Sequence, residues 1–169
     1  MKKLLLMILL LPMFVHSQDF QKVPFVDGKV EFDTVIQVKE MSAKELYSRV
    51  KLIISEMYNS GKAVIDVSDE GMFIVVKGIT KYPLSDFLGT LYVNLDHSLK
   101  FQFKDERVKI TLNNLVVSTV PFESIAIETK GYKFSPKIRQ QHIAHVIEFW
   151  DMIQQTIISK TAKANTDNW

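Results

Sequence analysis

The chain has 169 residues, 47% of them hydrophobic and 24% charged, a composition that argues against disorder and points to one globular unit. Its 21 basic residues face 19 acidic ones, but Lys2 and Lys3 lie in a segment expected to be removed, so the formal net falls from +2 to zero in the mature chain. A neutral protein lacks the basic field that steers proteins onto nucleic acid or anionic lipid. Cysteine is absent, which excludes disulfides and a lipid-modified cysteine tether.

Met1-Lys2-Lys3, the apolar run Leu4–Val15 and His16-Ser17 have the layout of a secretory signal peptide. The run is shorter than the roughly 20 residues a membrane span needs. Cleavage after Ser17 would start the mature chain at Gln18 and leave no membrane anchor. None of the asparagines heads an N-x-Ser/Thr sequon, which favours a bacterial exported protein, periplasmic or extracellular.

Residues 18–29, with Pro24 and Asp27-Gly28, read as a lead-in. Val30, Phe32, Thr34, Ile36 and Val38 alternate with polar residues and predict a half-buried strand, with Val35 the one apolar residue on the wet side. Ser42-Ala43-Lys44-Glu45 is a capping box. Behind it Ala43, Leu46, Tyr47, Val50, Ile53, Ile54 and Met57 share one helical face, and Asn59-Ser60-Gly61 supplies the stop.

Ala63–Val67 is a short strand closed by the turn Ser68-Asp69-Glu70-Gly71. Met72–Ile79 is apolar almost throughout, the pattern of a central strand covered on both faces or along most of its length. Lys81–Ser85, with Pro83, is expected to interrupt it. A long strand, Leu88–Phe103, follows, with a bend suspected at Asp96-His97-Ser98. Lys104-Asp105-Glu106 turns it into the strand Arg107–Val117, and Ser118–Pro136 reads as an irregular connection.

A second helix is predicted over Lys137–Lys160, with Ile143, Val146, Ile147, Trp150, Ile153 and Ile157 as its stripe. Ile138, Phe149 and Met152 widen that stripe between His142 and His145. Residues 161–169 form a polar tail expected to be disordered. The order along residues 30–160 is βαββββα. The predicted class is α+β, a two-layer sandwich in which an antiparallel sheet carries two helices on one face.

That order is the arrangement of the TATA-binding-protein-like (TBP-like) fold, which also describes helix-grip proteins. The strand Val30–Val38 leading into Ser42–Tyr47, the apolar strand ending in Val76-Lys77-Gly78, and the hairpin Phe101–Arg107 with Thr111 carry a closer likeness. On these residues the chain resembles an uncharacterised bacterial exported family, a domain of unknown function with a TBP-like fold, over about residues 30 to 115. The resemblance implies a fold and a compartment but no mechanism. The family's hairpin favours a glycine at the turn, where Asp105-Glu106 stand here.

His142 and His145, with Glu148 nearby, have spacing compatible with a metal pair or with acid/base work, against the plainer reading of histidines flanking an apolar stripe. A structural zinc site wants four ligands, and no metal is expected. Asp66, Asp69 and Glu70 cluster at a turn that needs them for backbone geometry alone. Asp96 and His97 point to opposite strand faces unless the strand bulges there. Phe101 and Phe103 share a face, and Tyr92 would join them only if register carried through the bend. Such aromatics serve DNA-binding sheets, but the neutral charge and export signal favour core packing.

No nucleophile elbow, Walker loop, dinucleotide fingerprint or H-E-x-x-H is present, and no cofactor is expected. The leading expectation is an exported, non-enzymatic domain that binds an envelope protein. The rival is a carrier of a small apolar ligand, held between helix and sheet near Phe101, Phe103, Phe149 and Met152. An enzyme using His142, His145 and Glu148 ranks last.

Overall fold

The computed structural model describes residues 23–26, 29–58, 64–86, 89–118, 124–127 and 136–162. The signal segment, the helix stop Asn59–Gly61, most of the 118–136 connection and most of the polar tail lie outside the described residues.

The capping box builds helix α1, Ala43–Met57. Ser42 Oγ accepts the Glu45 amide at 3.3 Å and Glu45 Oε2 accepts the Ser42 amide at 2.9 Å. A third acceptor arrives from far along the chain, Asp105 Oδ1 taking the Ala43 amide at 2.9 Å. Three otherwise orphaned N–H groups of the chain entering the helix are thus satisfied. Leu46, Tyr47, Val50, Ile53 and Ile54 are buried beneath the helix, as their spacing predicts.

Strands β1 (Phe25–Val26) and β2 (Lys29–Val30) form a small hairpin inside the expected lead-in. The Glu31 amide turns back to the Pro24 carbonyl, so the predicted strand begins at Phe32 and not at Val30. The main sheet is antiparallel throughout, in the order β3-β7-β6-β5-β4. Its members are β3 (Phe32–Gln37), β4 (Val64–Asp69), β5 (Phe73–Asp86), β6 (Gly89–Lys104) and β7 (Arg107–Ser118). A short β8, Ser124–Ala126, continues the β3 edge by pairing with the end of β7, where the sequence suggests only irregular chain. Helix α2, Pro136–Ala162, crosses the sheet from Tyr82 on β5 to Phe32 on β3 and also packs on α1. The βαββββα order and the α+β sandwich stand as predicted.

Strand β5 does not break at Lys81–Ser85. It runs through Pro83, which lies opposite Tyr92 of β6. Strand β4 pairs with β5 only as far as Lys77, so the second half of β5 is an edge, where a proline's missing N–H costs no ladder bond.

Strand β6 keeps strict alternation: Val93, Leu95, His97, Leu99, Phe101 and Phe103 are all buried on the helical face. The suspected bend belongs to its neighbour. Between the pairs Asp96↔Val116 and Ser98↔Asn113, β7 spends one extra residue, so Asn114 and Leu115 together face His97. Asn114 takes the left-handed conformation (φ 53°), which asparagine tolerates best after glycine. The bulge explains why burial on β7 passes from even positions (Val108, Ile110, Leu112) to odd ones (Leu115, Val117).

The expected link between a carried register and a shared face is reversed: Tyr92 and Phe101 are an odd number of residues apart, so the unbroken alternation of β6 puts Tyr92 on the face opposite Phe101 and Phe103, 68% exposed. Of the two alternatives for Met72–Ile79, cover on both faces fails, and cover along most of its length holds only in part, with Phe73 and Val75 half-buried. Ile74 and Val76 are buried under the helices, whereas Ile79 on the other face is 60% exposed. On α2 the buried side is His142, Val146, Phe149, Trp150, Ile153 and Ile157, and Met152 falls off it. The helix also continues past the predicted tail boundary: Thr161 is buried and its hydroxyl donates to the Ile157 carbonyl at 2.6 Å.

Candidate functional site

The two faces of the sheet offer different chemistry. On the helical face the polar groups sit at two histidine–tyrosine contacts. His97 Nδ1 lies 3.1 Å from the Leu95 carbonyl and Nε2 lies 2.6 Å from the Tyr58 hydroxyl. A carbonyl can only accept, so Nδ1 carries the proton and Tyr58 donates to Nε2. Burial pushes the His97 pKa down, offset in part by the Leu95 carbonyl and the Asp96 charge. Burial likewise pushes the Tyr58 hydroxyl up. Phe149 rests on the imidazole with ring centroids 4.6 Å apart.

Gly78 makes this contact possible. A Cβ at that position would stand 2.6 Å from His97 Nε2 and 2.7 Å from Tyr58 Cε1. The glycine is required by the close approach of two rings to the strand.

His142 and His145 both address Tyr82. The Tyr82 hydroxyl hydrogen-bonds His142 Nδ1, and the two rings meet edge to face. His145 stacks on the same tyrosine at 4.0 Å, with its Nδ1 3.6 Å from Glu148. Burial and the neighbouring His145 push the His142 pKa down to about 4. His145 is lowered by burial and partly restored by Glu148. Among the described residues no three His, Asp or Glu side chains are grouped to hold a metal.

The other candidates separate. Asp66 pairs with Lys77 at 3.0 Å and Glu70 with Lys44 at 3.0 Å, so the acidic turn is spread over two lysines. Asp96 faces away from the helices and accepts the Ser118 hydroxyl at 3.3 Å, while His97 points inward. Phe101 is fully buried, and Phe103 meets Tyr47 of α1 edge to face at 5.7 Å. Phe149 serves His97, and Met152 is 47% exposed. The four residues of the predicted ligand cavity are therefore not gathered around one space. Leu99, Phe101, Ile153 and Ile157 have no exposed surface, so no water-sized void touches them.

The open face carries what spacing alone did not resolve. Val35, Val67, Ile79 and Tyr92 are each more than half exposed on it. Val35 stood out in the sequence as the apolar residue on the wet side of its strand. Val75 and Ile79 were hidden inside an apolar run whose obvious explanation is two-sided burial. At the end of this face nearest the β6–β7 turn lies an open groove of about 460 Å³, lined by Val35, Met72, Phe73 and Gln102, by Lys104, Arg107 and Lys109, and by Phe103, the one residue of the predicted ligand set that reaches it. A smaller recess of about 290 Å³ lies at the β7 bulge, between Lys77, Ile79, Asp96, Ser98 and Asn114. Lys109 pairs with Asp33 at 2.9 Å, and that hydrogen bond holds its pKa above the usual lysine value. No helix among the described residues is long and apolar enough to cross a membrane.

Comparison with known proteins agrees with this fold. The structure is similar to a DUF4468 family protein from Bacteroides ovatus, with a TM-score of 0.68 and 18% identity over 82% of this chain and 90% of that one. It is also similar to a TBP-like protein from Parabacteroides distasonis, with a TM-score of 0.67 and 13% identity over 83% and 97%. At these identities the likeness shows the fold alone. No curated protein matches the chain. The family model for a domain of unknown function with a TBP-like fold, DUF4468, matches residues 32–118, the stretch from β3 through β7 and just over half of the sequence. With the five long strands of the main sheet and α1 inside that match, the chain belongs to the DUF4468 family.

Proposed function

We propose that this protein is an exported, non-catalytic binding domain that engages a protein partner of the bacterial envelope through the open face of its sheet. One observation carries the reading: four large apolar side chains, Val35, Val67, Ile79 and Tyr92, stand more than half exposed on the face that neither helix covers. Scattered apolar residues are ordinary on a surface; what supports docking is that these four, on different strands, all stand on the same uncovered face. The lysines among them supply charge complementarity to an acidic partner. The signal-like segment Met1–Ser17 supports export, and the neutral mature chain supports a local contact over long-range capture. The histidines are accounted for by their tyrosine partners on the other side of the sheet, which leaves them a packing role.

The test is site-specific photo-crosslinking in the native host, with the reactive side chain at Tyr92 on the open face and at Ser48 on the exposed side of α1. The reading expects one protein adduct, identified by mass spectrometry, from position 92 and none from position 48. Equal adducts from both positions, or none from position 92, would overturn it.

A further inference from the structure

We infer that the groove beside the β6–β7 turn anchors an acidic segment of the partner through an apolar side chain, a conclusion that rests on the partner-binding reading above. The floor is apolar at its ends and polar between them: Met72, 61% exposed, lies beside half-buried Phe73 at one end and Val35, 51% exposed, stands at the other, with Gln102 and Lys109 in the row that joins them. The rim is cationic. Lys104 and Arg107 are direct partners across the hairpin, so their side chains leave the sheet next to each other.

What makes the rim a binding feature is where the nearest carboxylates go. Asp105 and Glu106 form the turn between these two cations and would neutralise them in an ordinary exposed hairpin. Both are instead committed to the β3–α1 connection. Asp105 Oδ1 accepts the Ala43 amide at 2.9 Å, and Glu106 Oε1 accepts the Glu40 amide at 3.2 Å. Backbone bonds fasten the same turn there, from the Val38 amide to the Glu106 carbonyl at 2.7 Å and from the Glu106 amide to the Met41 carbonyl at 2.8 Å. Glu40 and Glu106 both adopt left-handed backbone (φ 60° and 61°) to make these contacts. Lys109 has Asp33, but Lys104 and Arg107 form no ion pair among the described residues. The groove lining holds no carboxylate to balance them.

Shape decides between a small molecule and a polypeptide. A small-ligand site encloses most of its ligand, whereas this groove is open to solvent along the sheet. It suits one aliphatic or aromatic side chain set on the floor, with the rest of a chain spread over the face and its carboxylates meeting Lys104 and Arg107. An anchor in a pocket ringed by charge is the usual construction of an interaction hot spot.

Fluorescence anisotropy on the chain from Gln18 onward tests this. The probe is a labelled synthetic peptide with a Phe-Leu pair flanked by aspartates. Controls replace the aspartates by lysines or the pair by alanines, and a further arm uses duplex DNA. The acidic, apolar peptide is expected to bind, more weakly as salt rises. Either control substitution, or Arg107→Glu or Lys104→Glu, is expected to weaken it about tenfold or more. Lys81→Glu, at the far end of the same face, is expected to leave binding unchanged. Equal binding of the lysine peptide, preference for duplex DNA, or indifference to both reversals overturns the groove. Crosslinking from Tyr92 that survives such a result leaves the partner-binding reading standing. Loss of that crosslink with peptide binding intact strikes the wider reading and not the groove.

Discussion

The covered and open faces of the sheet alternate along the same strands, yet they use apolar residues for opposite ends. On the covered face Ile74, Phe101 and Ile110 stand in one cross-strand row and are fully buried. One residue along, the row Phe73, Gln102, Lys109 and Val35 mixes apolar and charged side chains and stays accessible. The lesson is that an apolar strand position in this fold is not by itself a core position. What separates the two sets is the pair of helices, which cover one side only. The covered face should therefore govern stability and the open face binding, and each substitution below tests that division.

The largest effect is expected from Phe101→Ala. Removing a fully buried aromatic should cost about 3–5 kcal/mol, read as a lower midpoint in urea unfolding. A loss below about 1 kcal/mol would show that the covered face is not the core it looks to be.

Gly78→Ala comes next, because its methyl group would collide with both His97 and Tyr58. Overpacking of this kind costs about 1–3 kcal/mol. The same substitution in a His97→Ala background should cost less, since only the Tyr58 ring then opposes the methyl group, and a double-mutant cycle measures that coupling.

Acid should loosen the covered face. His142 titrates near 4 when folded and near 6.5 when not, so the unfolded chain binds the proton first as pH falls. The histidine's contribution is complete above about 6.5, declines as pH drops toward 4, and is flat below that. His97 is shifted in the same direction by burial. The melting temperature should fall between pH 7 and pH 4, and less steeply in His142→Gln. An equal slope in the variant would remove His142 as the cause.

Ser42→Ala should cost about 1 kcal/mol through loss of the cap. The loss should grow when Asp105→Ala removes the second acceptor at the same helix end. The smallest effect is expected at Ile79→Ser on the open face, within about 0.5 kcal/mol of the parent in urea. A large destabilisation there would erase the distinction between the faces.

Much of this architecture was legible residue by residue. Ser42 and Glu45 announced the helix that they cap, and the spacing from Leu46 to Ile54 named its buried side. Alternation placed Phe101 and Phe103 on one face, and the neighbour rule for strands put Asp96 and His97 on opposite ones. Pro83 misled because a proline signals a break only where both sides of a strand are paired, and β4 stops short of it. Met152 misled because the sheet takes Phe149 and Trp150, against His97 and Phe32, and leaves Met152 beside that contact, 47% exposed. Of the candidate site, Val35 and Arg107 were visible as residues, but nothing local joined them.

Hydrophobic period, capping and turn chemistry act within a few residues of one another, and they sufficed for both helices, the order of the main strands and the likeness to the family, but not for the β1–β2 hairpin or β8. The tertiary packing settled which apolar face the helices cover, which strand carries the bulge, and that Gly78 lies beneath Tyr58 and His97. It also decided that Asp105 and Glu106 reach away to the chain entering α1 and leave Lys104 and Arg107 to the groove. Those outcomes depend on contacts between distant segments, 66 residues apart for Glu40 and Glu106 and 104 for Glu56 and Lys160, and no local period records which distant segment will arrive.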